Sequence, residues 1–365
     1  MKSRISFSVL LAVLLAIFSC SKEEEVTPKD GPYKVIAPVN PSPKGDRLFG
    51  INLSTSTNGF FASFDTAKKA GIQIVELNLP WTMIETSEGN YADPDGLLSA
   101  TYFYGENNIK VGLSLAVINT VKWEIPEYLV GIAVNSQQFI DAYNAMVDWV
   151  IASMPKNVDL EFISIGNEVD LVLSTDEDWA DYTDFYSATA NHIQTNYSGI
   201  KVGVKTTVME GLFTTKKTKV QLINNYSDVV MLNYYPQNHQ FQVLDTSIVH
   251  AHFADIVTAF PTKDIWMTEL GYQSGSNLCA SSELKQAHFY HNMFQAWDTQ
   301  KEHIKLVLIN WLFDQSPQLI EEWKEYYGND PALVEYLSTL GLLNYDGTYK
   351  SAWLQVLEET KVRGW

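Results

Sequence analysis

Residues 160–170 read LEFISIGNEVD. An apolar, β-branched run from Leu160 to Ile165 is closed by Gly166, Asn167 and Glu168. A strand buried on both faces reads as such a continuous apolar run rather than as strict alternation, which is the signature of a parallel sheet covered by helices. The polar pair at its end is what a core strand alone does not require. Outward from this stretch, seven further runs of the same kind appear: Leu48–Leu53, Ile72–Asn78, Ile109–Ala116, Lys201–Lys205, Val229–Asn233, Ile265–Thr268 and Lys305–Asn310. Helical patterns lie between them. Residues 60–70 end at Gly71, a C-cap signal. Residues 137–153 and 178–196 carry a 3.6-residue period, with N-cap candidates at Ser174 to Asp178. Residues 281–299 open with Ser-Ser-Glu, and 351–361 close the chain. Eight strand-then-helix units predict an α/β fold, a single (β/α)8 TIM barrel over 46–365. The alternative, an open doubly wound sheet, lacks its phosphate loop, because Gly50-Ile51-Asn52-Leu53 does not have the GxGxxG spacing. A long irregular insert, about 312–350, follows the eighth strand and is expected to wall the active face.

The 365 residues carry 43 acidic and 25 basic side chains, a net charge of −18, and with no arginine cluster the chain has no footprint for a phosphate backbone, so no nucleic-acid partner is expected. Arginine occurs only at positions 4, 47 and 363. Aromatic residues make up 13%, an excess suited to stacking on flat apolar ligand faces as well as to core. Residues 1–19 have the basic n-region and short apolar h-region of a signal peptide. They end in a lipobox-like Ala-Ile-Phe-Ser-Cys, which makes Cys20 the expected lipidated residue. Residues 20–45, rich in Lys, Glu and Pro, are expected to form a flexible tether. The expected location is the bacterial cell envelope, lipid-anchored at the outer membrane. Cys279 is then left without a disulfide partner.

Barrel chemistry sits at the carboxyl ends of strands. Two ends carry a glutamate: Glu168 on the fourth strand and Glu269 in DIWMTELGYQS on the seventh. Strands about 4.8 Å apart, tilted by about 36°, close to a radius of about 7–8 Å, so the two Cα atoms should lie roughly 14 Å apart. Each side chain reaches inward by about 4–4.5 Å, which brings the carboxylates to roughly 5–6 Å, nearer the retaining spacing of about 5–5.5 Å than the inverting one of about 6.5–9.5 Å. The alternative for both is a buried ion pair, although no Lys or Arg lies close in sequence to either.

Asn167-Glu168 and Thr268-Glu269, ending strands four and seven of eight, resemble clan A glycoside hydrolases. The resemblance implies that Glu168 is the acid/base and Glu269 the nucleophile of a retaining glycosidase needing no cofactor and acting on a poly- or oligosaccharide. It further implies that Asn167 bonds the sugar 2-hydroxyl, that Tyr234 bonds the nucleophile and that Trp311 floors the sugar subsite. Tyr-Tyr-Pro with Gly-Asn-Glu also resembles arabinogalactan endo-galactanases. Two departures leave the family within the clan open. The second strand ends Glu76-Leu77-Asn78-Leu79-Pro80-Trp81 where cellulase-like members usually have an arginine, and Asn-Tyr-Tyr stands in place of His-x-Tyr. Trp81 and Asn78 are further substrate-binding candidates, with core packing and local backbone bonding as their alternatives. A carbohydrate substrate makes other glycan-uptake proteins the expected neighbours, and the rival class is an inactive surface glycan-binding lipoprotein on the same barrel. No metal site is read: His288 and His291, spaced i, i+3, are taken as exposed helix residues, and Asp93-Pro-Asp95-Gly96 lacks the twelfth-position glutamate of a calcium loop.

Overall fold

The computed structural model describes residues 32–365; the signal segment, Cys20 and most of the tether lie outside the described residues. The eight staves are β1 (Leu48–Ile51), β2 (Ile74–Pro80), β3 (Lys110–Asn119), β4 (Leu160–Asn167), β5, β6 (Val230–Tyr234), β7 (Ile265–Leu270) and β8 (Ile304–Ile309). β5 comes in two pieces, Lys201–Gly203 and Lys205–Thr207. The first pairs with β4 (Ile163 opposite Val202) and the second with β6 (Leu232 opposite Thr206), so the break at Val204 lets one stave serve both neighbours. β1 pairs in parallel with both β8 and β2, and the circle of parallel strands closes. The chain is a (β/α)8 barrel.

Alternation along the staves separates two cores. Ile74, Phe162, Met231, Trp266, Leu306 and Leu308 cluster inside the barrel. The larger core lies between the barrel's outer face and the helices α1 (Phe60–Lys69), α2 (Gln137–Ser153), α3 (Asp176–Asn196), α4 (Lys217–Ile223), α5 (Ile248–Ala259) and α6 (Glu283–Thr299). α3 begins with the expected cap: Thr175 and Asp178 form a reciprocal capping box.

Two expectations change. The insert after β8 is ordered into α7 (Pro317–Tyr327) and α8 (Pro331–Ser338). Each opens with a capping side chain, Ser316 or Asp330, followed by proline at the first helical position. Ser-Pro and Asp-Pro read as turns in sequence, but proline without its N–H also suits the first turn of a helix. The tether expected to run free through residue 45 is held to the barrel from Tyr33 onward. The Tyr33 hydroxyl and the Ile36 amide both donate to the Gln355 carbonyl on the closing helix, α9 (Ser351–Arg363). Ser42 donates to Asp298. Arg47 and Arg363 both clasp Asp298 as well, at 3.0 and 2.7 Å, so the two arginines among the described residues fasten the chain's ends together.

Candidate active site

Six of the eight staves carry an asparagine at or near the carboxyl end. Asn52, Asn78, Asn119, Asn167, Asn233 and Asn310 follow the apolar runs of β1, β2, β3, β4, β6 and β8. An amide donates and accepts at once, so asparagines can satisfy one another around a rim without charge. Asn78 donates to Asn119 at 2.9 Å, Asn167 donates to Asn119 at 3.2 Å, and Asn233 donates to Asn167 at 3.1 Å. Asn52 donates to Asn310 at 2.6 Å. β7 breaks the pattern with Glu269, and β4 extends one residue past its asparagine to Glu168.

Glu168 sits at φ 53°, ψ 43°, a left-handed backbone that a non-glycine residue seldom adopts. Gly166 just before it has φ +89°, and a Cβ there would meet the Tyr182 hydroxyl at 2.5 Å. The turn is thus wound tightly enough to aim Glu168 over the barrel mouth. Its Oε1 accepts from Asn233 at 3.1 Å. Asn233 stands opposite Glu269 in the β6–β7 register, which places the stave carrying Glu269 beside the amide that holds Glu168. Burial, then the nearby Glu269 charge, raises the Glu168 carboxyl from the ordinary 4.5 to about 7.

Glu269 is held from three sides. Its Oε2 accepts from the Tyr235 hydroxyl at 2.8 Å and from Asn310 at 3.0 Å, and its Oε1 accepts from Lys205 at 3.2 Å. Tyr235 is itself raised well above the ordinary phenol range by burial and by the carboxylates beside it, so its proton stays in place to donate. Trp311, joined to Asn310 by a cis peptide, lies half-buried beside this group and packs against Trp323 of α7 at 5.0 Å.

The insert completes the rim. The Tyr326 hydroxyl reaches from α7 to the Asn119 carbonyl and the Glu124 carboxylate at 3.0 and 2.9 Å, bridging from beyond β8 to the end of β3. Tyr336 of α8 packs edge-on against Tyr235 at 5.7 Å.

The sequence-predicted residues divide. Glu168, Glu269, Asn167 and Trp311 come together at the mouth. Asn78 is exposed on the rim, bonded to Asn119. Tyr234 does not bond Glu269: it is fully buried, and its hydroxyl meets His252 at 2.9 Å on the helix side of the sheet. Tyr235 takes the expected place. Trp81 is also buried, stacked edge-on against Phe139 and Tyr143, with its indole N–H donating to Glu85 at 2.8 Å. It is core. Missed by sequence reasoning were Tyr235, Lys205, Asn233 and the insert tyrosines. Tyr235 was legible by period two: if Asn233 faces the mouth, residue 235 does as well and 234 does not. Nothing local marks Lys205, which arrives from a stave two away. The histidine reading changes too, since His291 is buried with Nδ1 2.6 Å from the Glu359 carboxylate. Among the described residues no group of three or more His, Cys, Asp or Glu side chains is placed to hold a metal ion. Cys279 is a free, buried thiol.

No family model and no curated protein sequence matches the chain. Solved structures do. A GH5_18 protein from Streptomyces cattleya, in complex with Manβ1-4GlcNAc, superposes with a TM-score of 0.68 at 15% identity, covering 86% of this chain and 80% of that one. The exo-β-1,4-mannosidase Op5Man5 from Opitutaceae bacterium strain TAV5 superposes with a TM-score of 0.66 at 15% identity, covering 87% and 59%. A family 39 glycoside hydrolase from Bacteroides cellulosilyticus WH2 does so with a TM-score of 0.62 at 12% identity, covering 88% and 66%. The chain shares the TIM-barrel fold of these glycoside hydrolases.

Proposed function

We propose that this chain is a retaining glycoside hydrolase, with Glu168 as acid/base and Glu269 as nucleophile, acting on β-linked mannosides or closely related glycosides. The observation that carries the reading is a pair of carboxylates at one barrel mouth, near enough for the Glu269 charge to act on Glu168, kept in different environments. Glu168 is buried beside a like charge and holds its proton to about pH 7, as a general acid requires. Glu269 accepts three hydrogen bonds, which fix both of its oxygens in place to face the anomeric carbon.

In the first step the Glu168 proton passes to the glycosidic oxygen as the bond from that oxygen to the anomeric carbon breaks, and a Glu269 oxygen forms an ester to the same carbon. Glu269 is then neutral, and the repulsion that had added to the effect of burial on Glu168 is gone. Glu168, now a carboxylate, takes a proton from water, whose oxygen attacks the anomeric carbon and releases Glu269. Two inversions retain the configuration. Mannosides come first because two of the structures sharing this fold carry Manβ1-4GlcNAc or the name of an exo-β-1,4-mannosidase.

Turnover of aryl β-mannosides and a glycan panel tests this, with NMR of the first-formed anomer. Glu168→Gln should lose roughly 10²–10⁴-fold in kcat, and Glu269→Gln at least as much. Wild-type turnover by either variant, or an inverted first product, ends the proposal.

A further inference from the structure

The ammonium of Lys205 lies inside the barrel with 1% of its side chain exposed. It contacts Glu269 at 3.2 Å and also forms an ion pair with Glu76 of β2, whose side chain is 2% exposed. β2, β5 and β7 are not neighbours in the sheet, so one lysine crosses the interior to join two staves on opposite sides. Neither Glu76 oxygen accepts a well-directed hydrogen bond among the described residues, and the lysine's charge is its counterpart. A buried ion pair is costly unless its geometry is good, and no packing need calls for three ionisable groups together at this depth.

Building on the hydrolase reading, we propose that Lys205 is a positioning residue for Glu269, and that Glu76 supplies the balancing charge that lets a buried lysine remain there throughout the reaction. With Glu269 ionised, Lys205 holds its Oε1 while Tyr235 and Asn310 hold Oε2, so the carboxylate is locked in one plane. When Glu269 becomes an ester its charge is lost. A lone lysine would then be an unpaired buried cation, opposing that step; the Glu76–Lys205 pair is neutral by itself, so the ester forms without stranding a charge. Burial raises the Glu76 carboxyl to about 7, with the Glu269 charge adding to the rise, and the Lys205 charge is what draws it back toward ionisation. The other groups facing Glu269 are Glu168, Tyr235, Tyr327 and Tyr336, all of them acids, so Lys205 is the sole cation at the site among the described residues.

The test is the acidic limb of the pH profile of kcat/KM, read in three purified variants checked for folding by thermal unfolding. Lys205→Met removes the cation and should move the limb to higher pH by about 1 unit. Its loss should fall on kcat rather than KM, since Lys205 is too deep to touch sugar. Glu76→Gln leaves Lys205 to Glu269 alone and should move the limb to lower pH, with a slower first step. The double variant replaces the buried pair by neutral side chains of similar size, which buried pairs commonly tolerate, and should move the limb upward; it carries the test if Lys205→Met does not fold. Opposite displacements on removing the cation and the anion support the inference, and any other pattern overturns it. Carboxylate 13C shifts titrated without substrate read the same displacements. Displaced titrations in a protein that turns over no glycoside would therefore refute the hydrolase reading alone, and unmoved limbs in an active enzyme would refute the inference alone.

Discussion

Tyr234 and Tyr235 are adjacent in sequence and separated by the thickness of the sheet. Alternation along β6 sends Asn233 and Tyr235 to the mouth and Tyr234 to the helices, where it bonds His252. The two hydroxyls should behave differently when removed. Tyr235→Phe takes a hydrogen bond from a charged acceptor, of the kind that contributes about 1.5–3 kcal/mol, so kcat should fall about 10–100-fold with little change in unfolding midpoint. Tyr234→Phe should cost about 0.5–1.5 kcal/mol of stability and leave kcat near wild type. Equal kinetic losses from both would contradict the assignment. Trp81 follows the same rule. Ile74, Glu76 and Asn78 face inward on β2, and Trp81, out of that phase, packs against α2.

At the scale of elements, the barrel interior is filled unevenly, with large side chains on some staves facing glycine on others. Gly112 of β3 is the tightest case: a Cβ there would lie 2.1 Å from ring atoms of Phe162 on β4. Phe162 sits in the apolar layer beneath the Glu76–Lys205 pair and cannot retreat without disturbing Trp266, 5.6 Å away centroid to centroid. Gly112→Ala should cost about 1–3 kcal/mol by overpacking, seen as a lower urea midpoint at unchanged slope. An unchanged midpoint would mean that the interior yields more easily than its packing implies. The insert shows a different element-scale principle. α7 and α8 are short, and their worth lies in where they place Tyr326 and Tyr336, contacts between residues 207 and 101 positions apart along the chain.

For the whole molecule, the buried acids set how stability varies with pH. Burial raises Glu168 and Glu76 to about 7 and, against hydrogen bonds from Thr207, Asp170 to about 6. A carboxyl raised on folding binds its proton more tightly in the native state. The native chain then holds more protons than the unfolded chain between the ordinary carboxylate value and about 7, so stability must fall as pH rises through that window. Below it, Asp178 and Asp245, lowered by hydrogen bonds from nearby backbone and hydroxyl groups, lose their contribution on protonation. The thermal midpoint should therefore peak in mild acid and decline toward pH 8. Glu168→Gln should flatten that decline, raising the midpoint at pH 8 more than at pH 5. A wild-type midpoint that climbs steadily to pH 8 would show that these carboxyls are not raised.

The eight apolar runs, the helices over 60–70, 137–153, 178–196, 281–299 and 351–361 and the two strand-end glutamates were legible from the chain alone; α4 and α5 were not. Burial on both faces imposes composition on a parallel strand, and a carboxylate ending such a strand has no local purpose. Tyr235 could have been found by counting in twos from Asn233. The chain could not announce that Lys205 would cross the interior to Glu76 and Glu269, that α7 and α8 would roof the rim, or that residues from Tyr33 onward would be strapped to α9. Local propensity and periodicity act over a few neighbouring residues, whereas these contacts join segments tens to hundreds of positions apart and exist only once the barrel has closed.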